Sequence, residues 1–212
     1  MTVHLLNFKD KTPTGLIVNT TSRSDNWTKG LSPFSLGPVV VYPYDEPHAS
    51  LNMENAWQFS KVYPVHVDGG NNPTDAYLEW AKKGWADSFA HRYPMGKGFS
   101  PLYSLWKGKH LSYIEARREI YIPLYAEAVG KTGAFQKLKE LYETMGEIWL
   151  LDFDAYDHRR FGMDYDEVIK CETMKMGHAF VLAMMLEDVY ERNLTESSRG
   201  SKEAEERSDR ME

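Results

Sequence analysis

The pattern of hydrophobic residues changes about a quarter of the way along the chain. Before residue 50 it offers two short β-branched runs, residues 16–18 and 39–42, separated by a stretch rich in Ser, Thr, Asn, Gly and Pro. From Asn52 onward, apolar residues recur at helical spacing. Short strands followed by a run of helices are typical of the α+β class. We therefore predict a mostly helical single α+β domain with a small N-terminal β-sheet.

The helical part of the chain divides at its Gly, Pro and polar segments. Residues 91–101 form a predicted loop, and residues 148–153 a short buried strand or helix end. The last residues, 193–212, have no hydrophobic periodicity. We predict a single folded domain over residues 1–192 and a disordered charged tail over residues 193–212. Helices are predicted over residues 52–63, 74–89, 112–129 (kinked or split at Pro123), 133–145 and 164–191.

The composition excludes several kinds of protein. The chain has 212 residues, of which 42% are hydrophobic and 26% charged, so it can bury a full core without disulfides. Its single cysteine, Cys171, excludes an internal disulfide. The histidines show no i,i+4 pairs, so we expect neither a metal nor another cofactor. The longest apolar run, residues 179–186, is far shorter than the ~20 residues that span a bilayer. Without a secretory signal pattern either, a cytoplasmic protein with no membrane partner is expected.

The charge of the chain bears on its partners. Lys and Arg total 25 against 31 Asp and Glu, which gives a net charge of −6. Stable binding to a nucleic-acid backbone requires clustered cations, so we do not expect it. Short basic patches, such as Arg117 with Arg118, have the chemistry to hold a few phosphates. Taken singly, each patch is more typical of a solvated surface.

The most informative segment is the predicted helix over residues 52–63. At about 100° per residue, Glu54, Gln58 and Lys61 project from one stripe. Apolar residues, among them Trp57, border this stripe and also occupy the opposite side of the helix, unlike those of a surface helix. The pattern predicts a buried helix that points an acid, an amide and an amine into one crevice. Either a ligand completes this polar set, or Glu54 and Lys61 pair with residues elsewhere in the fold.

A second segment, residues 18–34, combines hydroxyls, an amide, an acid and two aromatic rings. These groups suit hydrogen bonds to ribose and phosphate oxygens and stacking on a base. Loops of this composition are also frequently simple turns. The candidate ligand-binding residues here are Asn19, Ser22, Ser24, Trp27, Ser32 and Phe34.

Together the two segments resemble the NADAR family, whose name refers to NAD and ADP-ribose, including its riboflavin-pathway N-glycosidase branch. That family has a strand ending in Asn-x-x-Ser, a loop ending in Ser-Asn-Phe and a Glu-x-x-x-Gln-x-x-Lys helix. Farther on, residues 152–156 match its acidic segment and residues 176–186 its terminal helix. The resemblance covers roughly residues 17–188. The matching positions in the first three motifs are Asn19, Ser22, Ser32, Phe34, Glu54, Gln58 and Lys61.

The resemblance implies cleavage of an N-glycosidic bond between a ribose-type sugar and a nitrogen. Departure of the base leaves positive charge on C1, which a carboxylate stabilises, and this role falls to Glu54. Lys61 would hold a phosphate or form a Schiff base. The implied substrate is an ADP-ribose-containing small molecule or an ADP-ribosylated DNA base. The implied substrate-binding residues are Asn19, Ser22, Ser24, Trp27, Ser32, Phe34, Trp57, Gln58 and Asp154.

Two other functions remain open at this point. The Trp-Gly pair that the family carries after its acidic segment is absent here. Its absence favours a module that binds ADP-ribose or a nucleotide without turnover. The third possibility is a helical interaction protein in which Glu54, Gln58 and Lys61 are core structure.

Overall fold

The computed structural model describes residues 1–190, so the predicted tail lies outside the described residues. Within them the α+β prediction is confirmed. The strands are β1 (Thr2–Leu6), β2 (Ile17–Asn19), β3 (Val39–Val41), β4 (His48–Ser50), β5 (Lys61–Val62), β6 (Tyr103–Trp106), β7 (Lys109–Leu111) and β8 (Glu147–Leu151). The helices are α1 (Met53–Gln58), α2 (Asp75–Trp85), α3 (Tyr113–Ala116), α4 (Ile122–Gly130), α5 (Gly133–Met145), α6 (Tyr165–Lys170) and α7 (His178–Leu186).

A parallel three-stranded sheet, in the order β1–β8–β2, forms the base of the fold. Its central strand β8 is buried through Ile148 and Leu150, which pair with Val3 and Val18. The predicted N-terminal sheet therefore takes its middle strand from residues far along the chain. Two further small antiparallel sheets, β3–β4 and β5–β6–β7, complete the β structure. The first-quarter strands β1 and β2 therefore pair through β8 and not with each other, because strand pairing is non-local.

Helix α7 is the buried centre of the fold. It is apolar on all sides, and residues such as Phe180 and Leu182 are fully buried. A helix that is hydrophobic all round belongs in a core, and α7 packs against β1, β8 and α4. No helix among residues 1–190 is long and apolar enough to cross a membrane.

Three predicted helices are shorter than expected, and the one predicted over residues 74–89 ends at Trp85. The helix predicted over residues 52–63 ends at Gln58, because Lys61 and Val62 pair with β6. The helix predicted over residues 164–191 is interrupted between Lys170 and α7. In that interruption lies Gly177, where a Cβ atom would come within 2.0 Å of Asp152 Oδ2. Strand pairing and close packing, both tertiary effects, override the local helical pattern.

The helix predicted over residues 112–129 is continuous, although Pro123 lies inside it. A π-helical turn over Arg117–Tyr121 joins α3 to α4, and Ile122 N–H donates to the carbonyl of Arg117. Proline has no N–H and its ring clashes with the carbonyl four residues back. The wider turn before Pro123 accommodates this residue without ending the helix.

Candidate functional site

A cavity of about 440 Å³ lies at the carboxyl ends of β2 and β8. In a parallel sheet these ends meet at one edge, and the residues that follow them line the cavity. Thr21 and Ser22 come from the segment after β2, and Asp152 and Asp154 from the segment after β8. Helix α1 forms the adjoining wall.

The start of α1 holds the predicted Ser-Pro-Phe loop beside Glu54. Asn52 caps the helix, and its side chain accepts from the backbone N–H of Asn55 at 2.8 Å. The backbone N–H of Glu54 donates to the carbonyl of Pro33 at 3.0 Å. This contact places Ser32, Pro33 and Phe34 on the cavity wall next to the Glu54 side chain.

Glu54, Gln58 and Lys61 form one chain of hydrogen bonds along the cavity wall. The Gln58 amide nitrogen donates to Glu54 Oε1 at 2.9 Å, and Lys61 Nζ donates to Gln58 Oε1 at 2.7 Å. Lys61 Nζ also lies 4.6 Å from the ring centroid of Trp57, a cation–π contact. Lys61 reaches the other two from strand β5 rather than from the helix. Gln58 is thus the bridge between the acid and the amine.

Burial shifts both ionisable groups toward their neutral forms. Only 6% of Glu54 is exposed, and desolvation raises the pKa of its carboxyl, opposed by the Gln58 hydrogen bond and the charge of Lys61. Desolvation likewise lowers the pKa of the Lys61 amine to about 8, against the pull of Glu54. A carboxyl that holds its proton more tightly than an exposed glutamate and an amine that releases one more readily than an exposed lysine therefore share this wall.

Asp152 and His178 form a second pair on the cavity wall, and both are buried. His178 Nε2 lies 2.9 Å from the carbonyl of Thr20, and Nδ1 lies 3.2 Å from Asp152 Oδ2. A carbonyl only accepts, so Nε2 carries a proton. His178 therefore joins the segment after β2 to the segment after β8 at the cavity wall. Sequence reasoning missed this pair because a lone histidine is more often a core residue.

Basic groups outnumber acidic ones around the cavity. Asp154 accepts from Arg92 Nη2 at 2.8 Å and lies 3.8 Å from Lys175 Nζ. Arg117, which sequence analysis assigned to a solvated patch, is buried instead and lines the cavity. The basic lining residues are Arg23, Lys61, Arg92, Arg117 and Lys175, against the carboxylates of Glu54, Asp152 and Asp154. A chain of net charge −6 thus carries a cavity with an excess of positive charge, which favours an anionic ligand.

The structure places the predicted site residues in two groups. Asn19, Ser24 and Trp27 do not line the cavity. The Asn19 side chain accepts from Thr21 in a local turn, Ser24 bonds to Thr28 Oγ1, and Trp27 lies under Lys137 of α5. Short polar side chains in loops commonly satisfy their own backbone, so these three shape the loop instead. Those that do line the cavity are Ser22, Ser32, Phe34, Glu54, Trp57, Gln58, Lys61 and Asp154.

The loop predicted over residues 91–101 supplies Arg92 and Tyr93 to the cavity. Asn55 of α1 holds this loop through hydrogen bonds from its amide to the carbonyls of Gly84 and Phe89, at 3.0 and 2.7 Å. Its side-chain oxygen also accepts from the backbone of the loop. The two faces of α1 therefore have different tasks, since Glu54 points to the cavity while Asn55 positions the loop. The sequence held no local signal for this long-range contact.

In residues 1–190 no group of three or more His, Cys, Asp or Glu side chains is placed to hold a metal ion.

A family model described as "Family of unknown function (DUF6939)" matches residues 2–160 of the chain. The match includes α1 and β8 with their cavity residues and ends before Lys175 and His178. No curated protein and no solved structure matches the chain.

Proposed function

The chain belongs to this family of unknown function, and we propose that it hydrolyses an N-glycosidic bond between a ribose and a nitrogen base. The observation that carries the proposal is the hydrogen-bonded series of Glu54, Gln58 and Lys61 at the wall of a cavity. At about 440 Å³ the cavity is within the size range of small-molecule sites. Its excess of basic groups suits a substrate such as an ADP-ribosyl compound.

Glu54 supplies the charge that this reaction requires. As the bond between C1 and nitrogen breaks, its electron pair moves to the base and positive charge develops on C1 and the ring oxygen. The Glu54 carboxylate stabilises that charge, and water then forms the new bond to C1. The water proton passes to Glu54, which delivers it to the departed nitrogen, so Glu54 ends as the carboxylate with which it began. A carboxyl whose pKa burial has raised accepts a proton more readily than an exposed glutamate does.

Lys61 provides a second route with the same products. In its neutral form the amine attacks C1, the base leaves, and the ring opens to give a Schiff base between Lys61 and the sugar. The two amine protons go to the base and to the ring oxygen, and water later releases the aldehyde. The lowered pKa of Lys61, about 8, makes its neutral form accessible. Gln58, bonded to both groups, holds the amine and the carboxyl in a constant geometry.

The proposal is tested on ADP-ribosylated guanine and thymine in DNA, on ADP-ribosylated protein and on free NAD. We expect release of ADP-ribose from at least one of these, detected by chromatography. Adding borohydride traps any Schiff base as a mass increase on Lys61. Lys61→Met should abolish trapping, whereas Lys83→Met, an exposed lysine on α2, should not.

Binding of ADP-ribose without cleavage of any substrate would replace this proposal with that of a binding module. Absence of both binding and cleavage would leave the polar series as core structure. In that case Glu54→Gln and Lys61→Met would change the free energy of unfolding and no ligand response.

A further inference from the structure

Arg117 is a charged side chain inside the fold. Only 2% of the residue is exposed, and it lines the same cavity as Glu54. Transferring an ionised group out of water is costly, so buried charges are generally paired with an opposite charge. The surroundings of Arg117 depart from this rule.

The guanidinium of Arg117 contacts carbonyl groups and no acid. Nη1 donates to the carbonyls of Val168, Ile169 and Cys171 at 2.9, 2.9 and 3.0 Å, and Nη2 donates to that of Met174 at 3.1 Å. These carbonyl dipoles at the end of α6 compensate part of the charge. Among residues 1–190 no carboxylate forms an ion pair with the guanidinium, and Nε donates to no acceptor. One positive charge is thus held in place without a counter-ion.

The carboxylates of the cavity are engaged elsewhere. Asp154 is bonded to Arg92 and lies within 3.8 Å of Lys175, so it already faces two cations. Asp152 lies against His178. Glu54 is bonded to Gln58 and forms no ion pair with Arg117 within residues 1–190. The negative charge that would balance Arg117 is therefore absent from the described part of the chain.

We propose that Arg117 forms an anion subsite that binds a phosphate group of the substrate. This inference rests on the proposed function and assigns the substrate of that site to the phosphorylated ribosyl compounds. Tyr113 lies under the guanidinium, with Cζ 4.5 Å from the ring centroid, and keeps its plane in one orientation. Nη1 and one hydrogen of Nη2 are donated to carbonyls, so the Nε hydrogen and the second Nη2 hydrogen remain. These two donors can meet two phosphate oxygens at once, which a lysine ammonium cannot do.

The helix that carries Arg117 also contributes two tyrosines to the cavity. Tyr113, Arg117 and Tyr121 succeed one another along the helix and all line the cavity. Tyr113 is 44% exposed, whereas Tyr121 is buried, and burial together with the charges of Asp152 and Glu54 raises the pKa of its phenol. Arg117 therefore lies on the same wall as an aromatic residue that reaches solvent and one that is close to the carboxyl groups.

Isothermal titration of the wild-type protein with adenosine, AMP, ADP and ADP-ribose tests the subsite without requiring turnover. A charge-assisted contact of this kind changes affinity by roughly tenfold to a hundredfold. AMP should therefore bind at least about tenfold more tightly than adenosine. Equal affinities for adenosine and AMP would overturn the proposal. Inorganic phosphate alone serves as the reference for an anion that is not attached to a ribose.

The variant Arg117→Met distinguishes a role in phosphate binding from a role in holding the backbone. Arg118→Met, at the neighbouring residue outside the cavity, is the control. Arg117→Met should weaken the affinity for AMP and ADP-ribose and leave the affinity for adenosine unchanged, because only the phosphate contacts Arg117. An equal loss for adenosine and AMP would mean that Arg117 only holds the backbone. Circular dichroism checks that the variant folds, because Arg117 also holds four carbonyls.

If Arg117→Met does not fold, Lys175→Gln carries the test. Its side chain is mostly exposed and belongs to the same cavity, so a weakened affinity for AMP with an unchanged affinity for adenosine is expected. The subsite would be overturned if Lys175→Gln left the affinity for AMP unchanged and the wild-type protein bound adenosine and AMP equally well. A protein that binds AMP through Arg117 but cleaves nothing would refute the proposed glycosidase only. One that cleaves phosphorylated and unphosphorylated ribosides equally well would refute the subsite only.

Discussion

Glu54 and Glu187 are two poorly exposed glutamates in opposite situations. The Glu187 carboxylate accepts from the backbone of Val3 at 2.8 Å, from Tyr165 Oη at 2.8 Å and from Arg159 Nη2 at 3.1 Å. Its acceptor capacity and its charge are both satisfied by the protein. Glu54 accepts a single hydrogen bond from α1, and its Oε2 accepts none within residues 1–190. The protein itself satisfies the hydrogen bonding and the charge of the Glu187 carboxylate, and it satisfies those of Glu54 only in part.

The difference teaches how to separate a structural charge from a functional one. A buried carboxylate that is paired and hydrogen-bonded joins elements of the fold, as Glu187 joins the end of α7 to β1 and α6. A buried carboxylate that is only partly satisfied costs stability, and such strain persists where the site uses it. The following predictions test this contrast, from the largest expected effect to the smallest.

The largest expected effect is the loss of activity when Glu54 is replaced. Glu54→Gln keeps the shape and the contact with Gln58 but removes the charge that stabilises C1. We expect the rate of base release to fall at least about a hundredfold. Steady-state release of ADP-ribose measures it, with Glu79→Gln, an exposed glutamate on α2, as the matched control. A rate for Glu54→Gln equal to that of the control would refute the role of Glu54.

Replacing Glu187 should lower stability and leave the rate per folded molecule unchanged. Glu187→Gln leaves the Arg159 guanidinium without its partner, and we expect a loss of about 2 kcal/mol in the free energy of unfolding. Thermal unfolding should show a melting temperature lower by roughly 4–8 °C. Glu127→Gln, at an exposed pair with Lys131, is the control and should change stability by less than about 0.5 kcal/mol. Equal losses of stability for Glu187→Gln and Glu127→Gln would contradict the structural role of Glu187.

The activity should depend on the protonation of Lys61. If the neutral amine reacts, the rate rises about tenfold per pH unit below 8 and levels off above it, because the pKa of Lys61 is about 8. Lys61→Arg, which stays charged, should lose this rise. A lowered pKa also means that folding disfavours the charged amine, so stability should rise with pH between about 8 and 10.5. A pH–rate profile that is flat across pH 7–9 would exclude the Schiff-base route.

The smallest effect is the change in stability on replacing Glu54. Its pKa is raised in the folded state, so the folded protein retains a proton that the unfolded chain releases above about pH 4.5. Stability is therefore lost as the pH rises from that value through the folded-state pKa. Glu54→Gln removes this loss and should be as stable as the wild type at pH 7, or up to about 1 kcal/mol more stable. Urea unfolding measures it, and a decrease as large as that of Glu187→Gln would contradict the comparison.

Local patterns predicted several elements well. Helix α5 has the predicted bounds because Thr132 caps its start, Gly146 ends it in a left-handed conformation, and apolar residues recur between them. The strands at residues 17–19 and 39–41 also lie within a residue or two of their β-branched runs. All of these signals act over a few residues, which is the range that a sequence pattern describes directly.

Contacts between distant residues produced what the patterns missed. Lys61 belongs to a strand because β6, about forty residues later, pairs with it. Asp152 and His178 lie in contact although 26 positions separate them in the chain, and Arg117 is buried against carbonyls at the end of α6 and just beyond it. None of these residues carries a distinctive local spacing, so their roles depend on packing.

The amino-acid sequence by itself determined that Glu54 and Gln58 lie on one side of a buried helix, since helical period and the apolar residues around them are local properties. Only the tertiary structure decided how many hydrogen bonds each carboxylate accepts, one at Glu54 and several at Glu187, and that the buried Arg117 lines the cavity. The physical reason is that desolvation, ion pairing and pKa values depend on which atoms surround a group in space. Most of those atoms come from residues far away in the chain.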